Sequence, residues 1–168
     1  GNAKGHSTIP RRSASEQADG FPTCTSQQRL WFIEQLEGCG NAYHIPIEIR
    51  LTGRLDEPAL RSALDALVMR HESLRTVFVS IEGEPWQHIV SQARFALKCV
   101  DLTGVENPEG QVRQYAHEEL SAPFDLTAGP LIRGRLLKLS ADESALLITM
   151  HHIISDGWSH GILIRDLV

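Results

Sequence analysis

Strand and helix periodicities alternate along this chain, and that alternation constrains the fold more than any other feature. Apolar residues occupy every second position of residues 45–51, which is typical of a strand with one buried face. Pro46 near its start predicts a place at the edge of a sheet. Asp56 then lies where it can cap a helix that admits Pro58 in its first turn. The apolar residues of that helix fall on one stripe: Leu60, Ala63, Leu64, Leu67 and Val68.

The rest of the chain continues the same mixture of elements. A helix is predicted over Thr25–Glu37, and it would begin with a capping box of Thr25 and Gln28. Strands at residues 76–81 and 86–90 predict a hairpin with a four-residue loop. The remaining predictions are a strand at 95–100, a helix at 108–120, and strands at 131–139 and 145–150. Such intermixed elements favour an α/β (α+β) sandwich.

Length and composition favour one domain. The chain has 168 residues, of which 42% are hydrophobic, as expected for a single globular core. Residues 1–21 are interpreted as a largely disordered linker, since Ile9 is the one large aliphatic residue among the first 20. Residues 22–168 would form the folded part. Three cysteines without paired spacing are interpreted as ordinary thiols.

Charge and hydropathy exclude several classes of partner. The formal net charge is -5, and no basic run extends beyond Arg11-Arg12, so a nucleic-acid partner is not expected. No apolar stretch approaches the roughly 20 residues of a membrane span, and no signal peptide is recognisable at the N-terminus. We therefore expect a cytoplasmic protein without a membrane partner.

Two adjacent histidines, His151 and His152, follow the last predicted strand and precede Asp156 and Gly157. An apolar periodic run at residues 161–168 places them on a predicted strand-to-helix turn. Since neighbours in a strand point to opposite faces, only one histidine is expected to face a substrate. The same geometry disfavours a metal site, which would need both rings and Asp156 to converge on one ion.

The residue types suggest proton transfer. Free imidazole has a pKa of about 6.5, so a histidine that faces a cleft can accept a proton from an attacking amine or orient it. Asp156 could hydrogen-bond the histidine or pair with an arginine that holds the loop, and the sequence leaves both open. Gly157 permits a tight turn or close substrate approach. Other histidines are interpreted as surface or packing residues: His44, His88, His117 and His160.

Four segments carry a resemblance to a known family. His151-His152-x-x-x-Asp156-Gly157 matches the signature of nonribosomal peptide synthetase condensation domains, and Trp158-Ser159 continues that match. Residues 27–32, Gln-Gln-Arg-Leu-Trp-Phe, resemble the opening motif of the family, and residues 70–78 resemble its second motif. Residues 123–126 and 129–131 resemble another recurrent segment. An ordered set of motifs is more specific than any single one.

The resemblance implies one chloramphenicol acetyltransferase-like lobe, with a mixed sheet flanked by helices, as the N-terminal lobe of a condensation domain. Two such lobes form a V around a tunnel, and the reaction joins a donor thioester to an acceptor amine. The implied partners are the upstream donor and downstream acceptor peptidyl carrier proteins, the C-terminal lobe and adjacent synthetase domains. No cofactor would bind directly, since 4'-phosphopantetheine arrives on the carrier proteins.

The resemblance also implies residue roles. The catalytic motif begins with His151, and its second histidine, His152, would be the catalytic one. Asp156 would be structural, in a salt bridge with an arginine of the second motif, for which Arg75 is the candidate. The backbone N–H of Gly157 would stabilise the tetrahedral oxyanion. The candidates for lining the substrate tunnel are Trp158 and Ser159.

Two departures and several alternatives accompany this interpretation. Cys24 and Ser26 stand where the opening motif usually has serine and alanine. The sequence stops soon after the third motif, so we expect the second lobe to be missing and the isolated half to show little activity.

An epimerisation domain would place tryptophan after the serine, whereas Trp158 precedes Ser159. Heterocyclisation domains carry aspartate in place of His151, and acyltransferases that use coenzyme A share only His-x-x-x-Asp. A carrier-protein docking module without catalysis is the non-enzymatic alternative, against which the intact His152 argues.

Overall fold

The computed structural model describes residues 20–37, 41–155 and 165–166. Within these residues three helices accompany two β-sheets. The helices are α1 (Thr25–Glu37), α2 (Glu57–Arg70) and α3 (Pro108–Ser121). The strands are β1 (Phe21–Pro22), β2 (His44–Thr52), β3 (Thr76–Ile81), β4 (Glu84–Ile89), β5 (Ala96–Asp101), β6 (Ile132–Lys138) and β7 (Glu143–His151). Short 3-10 turns occupy Glu72–Arg75 and His152–Ile154.

The larger sheet has the order β2-β7-β6-β5 and is mixed, because β5 and β6 are parallel while the other pairs are antiparallel. This confirms the predicted mixed sheet with helices. β2 lies at the edge of the sheet, as Pro46 predicts, since proline cannot donate a ladder hydrogen bond. β7 lies between two strands, and its residues from Ser144 to His151 are all buried.

Both faces of the larger sheet are covered. Leu146, Ile148 and Met150 of β7 belong to a core that also contains residues of α1, α2 and β3, among them Trp31, Leu64 and Phe78. Ala145 and Leu147 belong to a second core with Val112 of α3. Alternate residues of a strand point to opposite faces, so β7 supplies both cores in turn. The helices and the sheet therefore form layers, as the intermixed periodicities predict.

The smaller sheet has the order β1-β4-β3 and corrects two predictions. The β3–β4 hairpin turns through Glu82 and Gly83 alone, with φ angles of 54° and 87°, and not through a four-residue loop. A two-residue turn with positive φ at both positions matches the twist of the strands. Phe21, which the sequence assigns to the linker, pairs with Gln87 in β1.

The cap and stripe predicted for α2 are largely confirmed. The Asp56 side chain accepts a hydrogen bond from the Ala59 backbone N–H at 3.0 Å. Three residues of the predicted stripe are buried: Leu64, Leu67 and Val68. Ala63 is exposed, so the prediction is wrong for that residue and the buried face is narrower than the stripe. None of the helices in the described part of the chain has the length and apolarity needed to cross a membrane.

Candidate active site

The end of β7 separates the two adjacent histidines. His151 is the last residue of the strand and is 0% exposed, whereas His152 begins a 3-10 turn and is exposed. Three backbone hydrogen bonds hold this turn: His152 N–H to Tyr43 O at 2.8 Å, Ser155 N–H to His152 O at 3.2 Å, and His151 N–H to Leu131 O at 2.9 Å. The turn therefore fixes the main chain of His152 while its ring remains accessible.

His152 lines a cavity of about 1110 Å³. The cavity is lined by the first half of α1, by the turn after β7, and by residues of β3 and β4. The described lining residues are Cys24, Thr25, Ser26, Gln27, Arg29, Leu30, Ile33, Tyr43, Ser73, Thr76, Phe78, Gln87, His152, Ile153, Ile154 and Ser155. Their mixture of apolar surface and a few polar groups is typical of a binding site for a small organic group.

The N-terminus of α1 is capped by a different pair from the one predicted. The Gln27 side chain accepts from the Cys24 backbone N–H at 3.0 Å, so the capping pair is Cys24 and Gln27 and not Thr25 and Gln28. The hydrogen bond from Gln28 N–H to Cys24 O makes Cys24 the N-cap residue. The prediction was displaced by one position because a cysteine is an unusual cap, whereas threonine is a common one.

Gln27 also connects three elements around the cavity. Its Nε2 donates to Gln87 Oε1 on β4 at 3.1 Å and lies 3.3 Å from Ile153 O in the turn after His152. The sequence includes Gln27 in a motif but gave no signal of this role, and Gln87 lies in no motif at all. Both contacts join residues more than 50 positions apart, so only the folded chain brings them together.

His151 is neutral, and its ring is held by a hydrogen bond and by packing. Burial lowers its pKa to about 4, with smaller contributions from the nearby rings of His44 and His152. Its Nδ1 accepts a hydrogen bond from the Ile153 backbone N–H at 3.1 Å. Its ring packs near Tyr43 and Phe124 as well as His44. His151 therefore lies behind the cavity wall, and His152 is the histidine at the cavity.

Arg75 is the last residue of the 3-10 turn that follows α2. Its guanidinium donates to Val90 O at 2.7 Å and lies 3.6 Å from a Glu72 carboxylate oxygen. Its Nε is buried and has no hydrogen-bond partner among the described residues. Asp156, its predicted partner, lies outside the described residues, and so do Gly157, Trp158 and Ser159.

The motif residues of α1 divide between core and surface. Trp31 is buried in the main core, and Arg29 lines the cavity. Phe32 is 41% exposed. Of the other histidines, His88 and His117 are exposed, and His44 is buried against Phe124. Thus the opening motif contributes one residue to the core and several to the cavity.

Comparison with known sequences gives a consistent result. The family model described as Condensation domain matches residues 17–168. Malpibaldin synthetase of Mortierella alpina is 46% identical over 164 residues, which cover 96% of this chain and 3% of that protein. The dimodular nonribosomal peptide synthase of Bacillus subtilis (strain 168) is 40% identical over 161 residues, covering 96% of this chain and 7% of that protein. The chain thus spans a small part of the relatives that it matches.

Solved structures share the fold. The starter condensation domain of rhizomide synthetase RzmA superposes with a TM-score of 0.81 at 22% identity, over 88% of this chain and 37% of that one. The first condensation domain of the calcium-dependent antibiotic synthetase, in complex with a substrate analogue, gives a TM-score of 0.80 at 26% identity. That alignment covers 88% of this chain and 36% of the other. The chain therefore corresponds to rather more than a third of each solved chain.

Proposed function

This chain belongs to the condensation domain family of nonribosomal peptide synthetases, and we propose that it supplies the His152 side of an amide-forming site. The donor would be a carrier-bound aminoacyl or peptidyl thioester, and the acceptor would be the amine of a second carrier-bound group. The observation that carries this proposal is the exposed ring of His152 at a cavity, on a turn whose backbone is fixed by hydrogen bonds.

The chemistry of amide formation fits one histidine at the cavity. A C–N bond forms as the amine attacks the thioester carbonyl, and the C–S bond breaks when the tetrahedral intermediate collapses. His152 is within the cavity, where a neutral imidazole can orient the amine or accept its proton, and the departing thiolate is the final proton acceptor. His151 would support the turn without touching substrate, because it is fully buried.

The remaining motif residues complete the proposed site. Asp156 would pair with Arg75, whose buried Nε supports this assignment because a buried donor generally has an acceptor. The backbone N–H of Gly157 would stabilise the oxyanion, and Trp158 with Ser159 would line the substrate tunnel. These roles are carried over from the family motif.

The proposed partners follow from the substrates. Donor and acceptor carrier proteins would deliver their groups on 4'-phosphopantetheine arms, so the chain itself would hold no cofactor. A C-terminal lobe would close the far side of the cavity, and the other synthetase domains would adjoin it. The cytoplasm is the proposed compartment, since the thioester substrates are made there.

Amide formation between two loaded carrier proteins tests this function directly. The product would be measured by mass spectrometry for this chain alone, and for the chain together with a C-terminal lobe. We expect product only with both lobes, and a loss of about 100-fold or more in His152→Ala. His88→Ala is the matched control, because His88 is exposed on β4 and does not line the cavity. Product that needs neither His152 nor the second lobe contradicts the proposal. Carrier binding without any His152-dependent product would indicate a docking module instead.

A further inference from the structure

Three titratable side chains, Glu34, His44 and His151, lie behind the turn that carries His152, and we call them the histidine cluster. His44 and His151 are direct partners in the pairing of β2 with β7, and their ring centroids are 5.9 Å apart. A carboxylate oxygen of Glu34 on α1 lies 3.8 Å from His151 Nε2. The three residues therefore come from three different elements and meet at one buried place.

The hydrogen bonds determine which nitrogen of His151 carries the proton. Nδ1 faces the Ile153 backbone N–H at 3.1 Å, and a nitrogen that accepts this bond has no hydrogen of its own. The ring is neutral, since burial lowers the pKa of His151 to about 4. The single ring hydrogen must then lie on Nε2, the atom that faces Glu34.

The same reasoning gives His44 the opposite tautomer. Its Nδ1 lies 2.7 Å from Leu120 O, and a carbonyl oxygen can only accept, so the hydrogen of His44 lies on Nδ1. Burial lowers the pKa of His44, and the charge of Arg133 lowers it further, so this ring is neutral as well. Its Nε2 is therefore an acceptor, and it has no hydrogen-bond partner among the described residues.

The histidine cluster thus presents one buried donor to one acceptor that faces it. The donor is His151 Nε2–H, which lacks a partner within hydrogen-bond distance among the described residues. The acceptor is the Glu34 carboxylate, whose side chain is 13% exposed and whose oxygen lies 3.8 Å away. A small rotation of Glu34 would bring this oxygen within hydrogen-bond distance. This acceptor favours the tautomer that leaves His151 Nδ1 free to accept.

That tautomer bears on the turn of His152. If the hydrogen moved to His151 Nδ1, it would point at the Ile153 N–H, and two donors would face each other at 3.1 Å. The turn would have to shift, and His152 lies between the two residues that make this contact. A displacement of about 1 Å at a reacting group can cost as much as 100-fold in rate.

We propose that Glu34 is a positioning residue, which holds His151 in its Nε2–H tautomer and so fixes the turn that places His152 at the cavity. The inference rests on the proposed function of His152. Glu34 lies on α1, outside the His-His-x-x-x-Asp-Gly motif. Its role would be to orient the turn of His152, without contact to substrate.

The tautomers can be read by NMR without any substrate. In this chain labelled with 15N-histidine, long-range 1H–15N spectra near neutral pH distinguish a protonated Nδ1 from a protonated Nε2. We expect Nε2–H for His151 and Nδ1–H for His44. Each signal is assigned from its loss when that one histidine is substituted. An Nδ1–H form of His151 in the unmodified chain overturns the inference, whatever the variants do.

Substitution of Glu34 links the tautomer to the reaction. In Glu34→Leu we expect the Nδ1–H form of His151 to appear, and amide formation to fall between about tenfold and 100-fold when a C-terminal lobe is supplied. Glu34→Gln retains a carbonyl acceptor and should stay within about threefold of the unmodified chain, because one hydrogen-bond acceptor still faces His151. Gln35→Leu is the matched control, since Gln35 is the exposed neighbour on the same helix.

The outcomes separate this inference from the proposed function. A Glu34→Leu variant with an unchanged tautomer, or with a changed tautomer and an unchanged rate, overturns the positioning role. A His152→Ala variant with an unchanged rate contradicts the proposed function and leaves the tautomer result standing. Loss of rate in Glu34→Gln equal to that in Glu34→Leu would also count against the inference, because the acceptor is retained.

Discussion

Two polar clusters contact Phe124, and they differ in how fully their hydrogen bonds are satisfied. We call Glu119, Arg133 and Arg135 the arginine cluster. Glu119 is 4% exposed and accepts from Arg133 at 3.2 Å and from Arg135 at 2.9 Å. Arg133 also donates to carbonyl oxygens at the end of α3 and stacks 3.8 Å from the Phe124 ring centroid.

The hydrogen bonds of the histidine cluster, which also contacts Phe124, are only partly satisfied. The His44 ring meets Phe124 edge-on at 4.9 Å, yet Nε2 of both histidines is without a hydrogen-bond partner among the described residues. Buried polar groups in native proteins are nearly always paired, so an exception near a motif points to a role other than stability. We infer that the arginine cluster stabilises the sheet and α3, whereas the histidine cluster serves the site.

The largest expected effect is on stability and comes from the arginine cluster. Glu119→Leu leaves two largely covered guanidinium groups, on side chains that are 17% and 12% exposed, without their shared carboxylate and should lower the free energy of unfolding by about 3 to 5 kcal/mol. Urea denaturation followed by circular dichroism measures this loss. Glu118→Leu is the matched control on the same helix, because Glu118 is 43% exposed and its pair with Arg135 should contribute about 1 kcal/mol or less. Equal losses in the two variants would show that the buried Glu119 carboxylate stabilises the fold no more than the exposed Glu118 carboxylate does.

The second largest expected effect is a loss of stability at low pH, which originates in the histidine cluster. The pKa of His151 falls from 6.5 to about 4 on folding, so between these values the unfolded chain binds the proton more tightly. Protonation of His151 therefore does not affect the free energy of unfolding above pH 6.5. As the pH falls from 6.5 to about 4, it lowers that free energy by about 3 kcal/mol. Urea denaturation at a series of pH values gives this slope. His151→Gln should reduce the slope in this range, and an unchanged slope would show that another group causes it.

The smallest expected effect concerns the reactivity of the two exposed thiols, Cys24 and Cys99. Cys24 lies at the cavity, and the hydrogen bond from the Ser26 hydroxyl lowers its pKa. Cys99 lies on β5, where burial raises its pKa and the Glu57 carboxylate raises it further. Both side chains are exposed, so near neutral pH an alkylating reagent should modify Cys24 faster, because the thiolate is the reactive form.

Peptide mapping by mass spectrometry separates these two thiols from Cys39. Ser26→Ala should slow the modification of Cys24 and leave that of Cys99 unchanged, since Ser26 is the first cause of the lowered pKa. If Cys99 were alkylated faster than Cys24 in the chain without substitutions, access to the thiol, and not its pKa, would decide which cysteine reacts first.

Much of the fold could be predicted because its signals are local. The period-two pattern of β2, the Asp56 cap of α2 and the limits of α1 depend on residues within a few positions of one another. The loop of the β3–β4 hairpin was predicted too long, because Glu84 and Pro85 are turn-like in composition yet pair with Ile81 and Ser80. Cross-strand pairing, which no local pattern contains, outweighed turn propensity there.

The candidate site was predictable in part. The sequence identifies the histidine pair, and strand alternation predicts that the two rings point apart. It does not reveal the roles of Glu34 and Gln27, whose contacts with His151 and Ile153 cross more than a hundred positions of the chain. Contacts at such separation depend on how α1 packs against β7, and no spacing within either element encodes that packing.

The sequence alone determined most of the helices and strands, which motifs are present, and that only one of two adjacent histidines is expected to face a substrate. The tertiary structure decided which one, because β7 lies between β2 and β6 and buries every residue from Ser144 to His151. It also decided the tautomers of His44 and His151, since their partners come from other elements. Periodicity depends on neighbours along the chain, whereas burial and hydrogen bonding depend on neighbours in space.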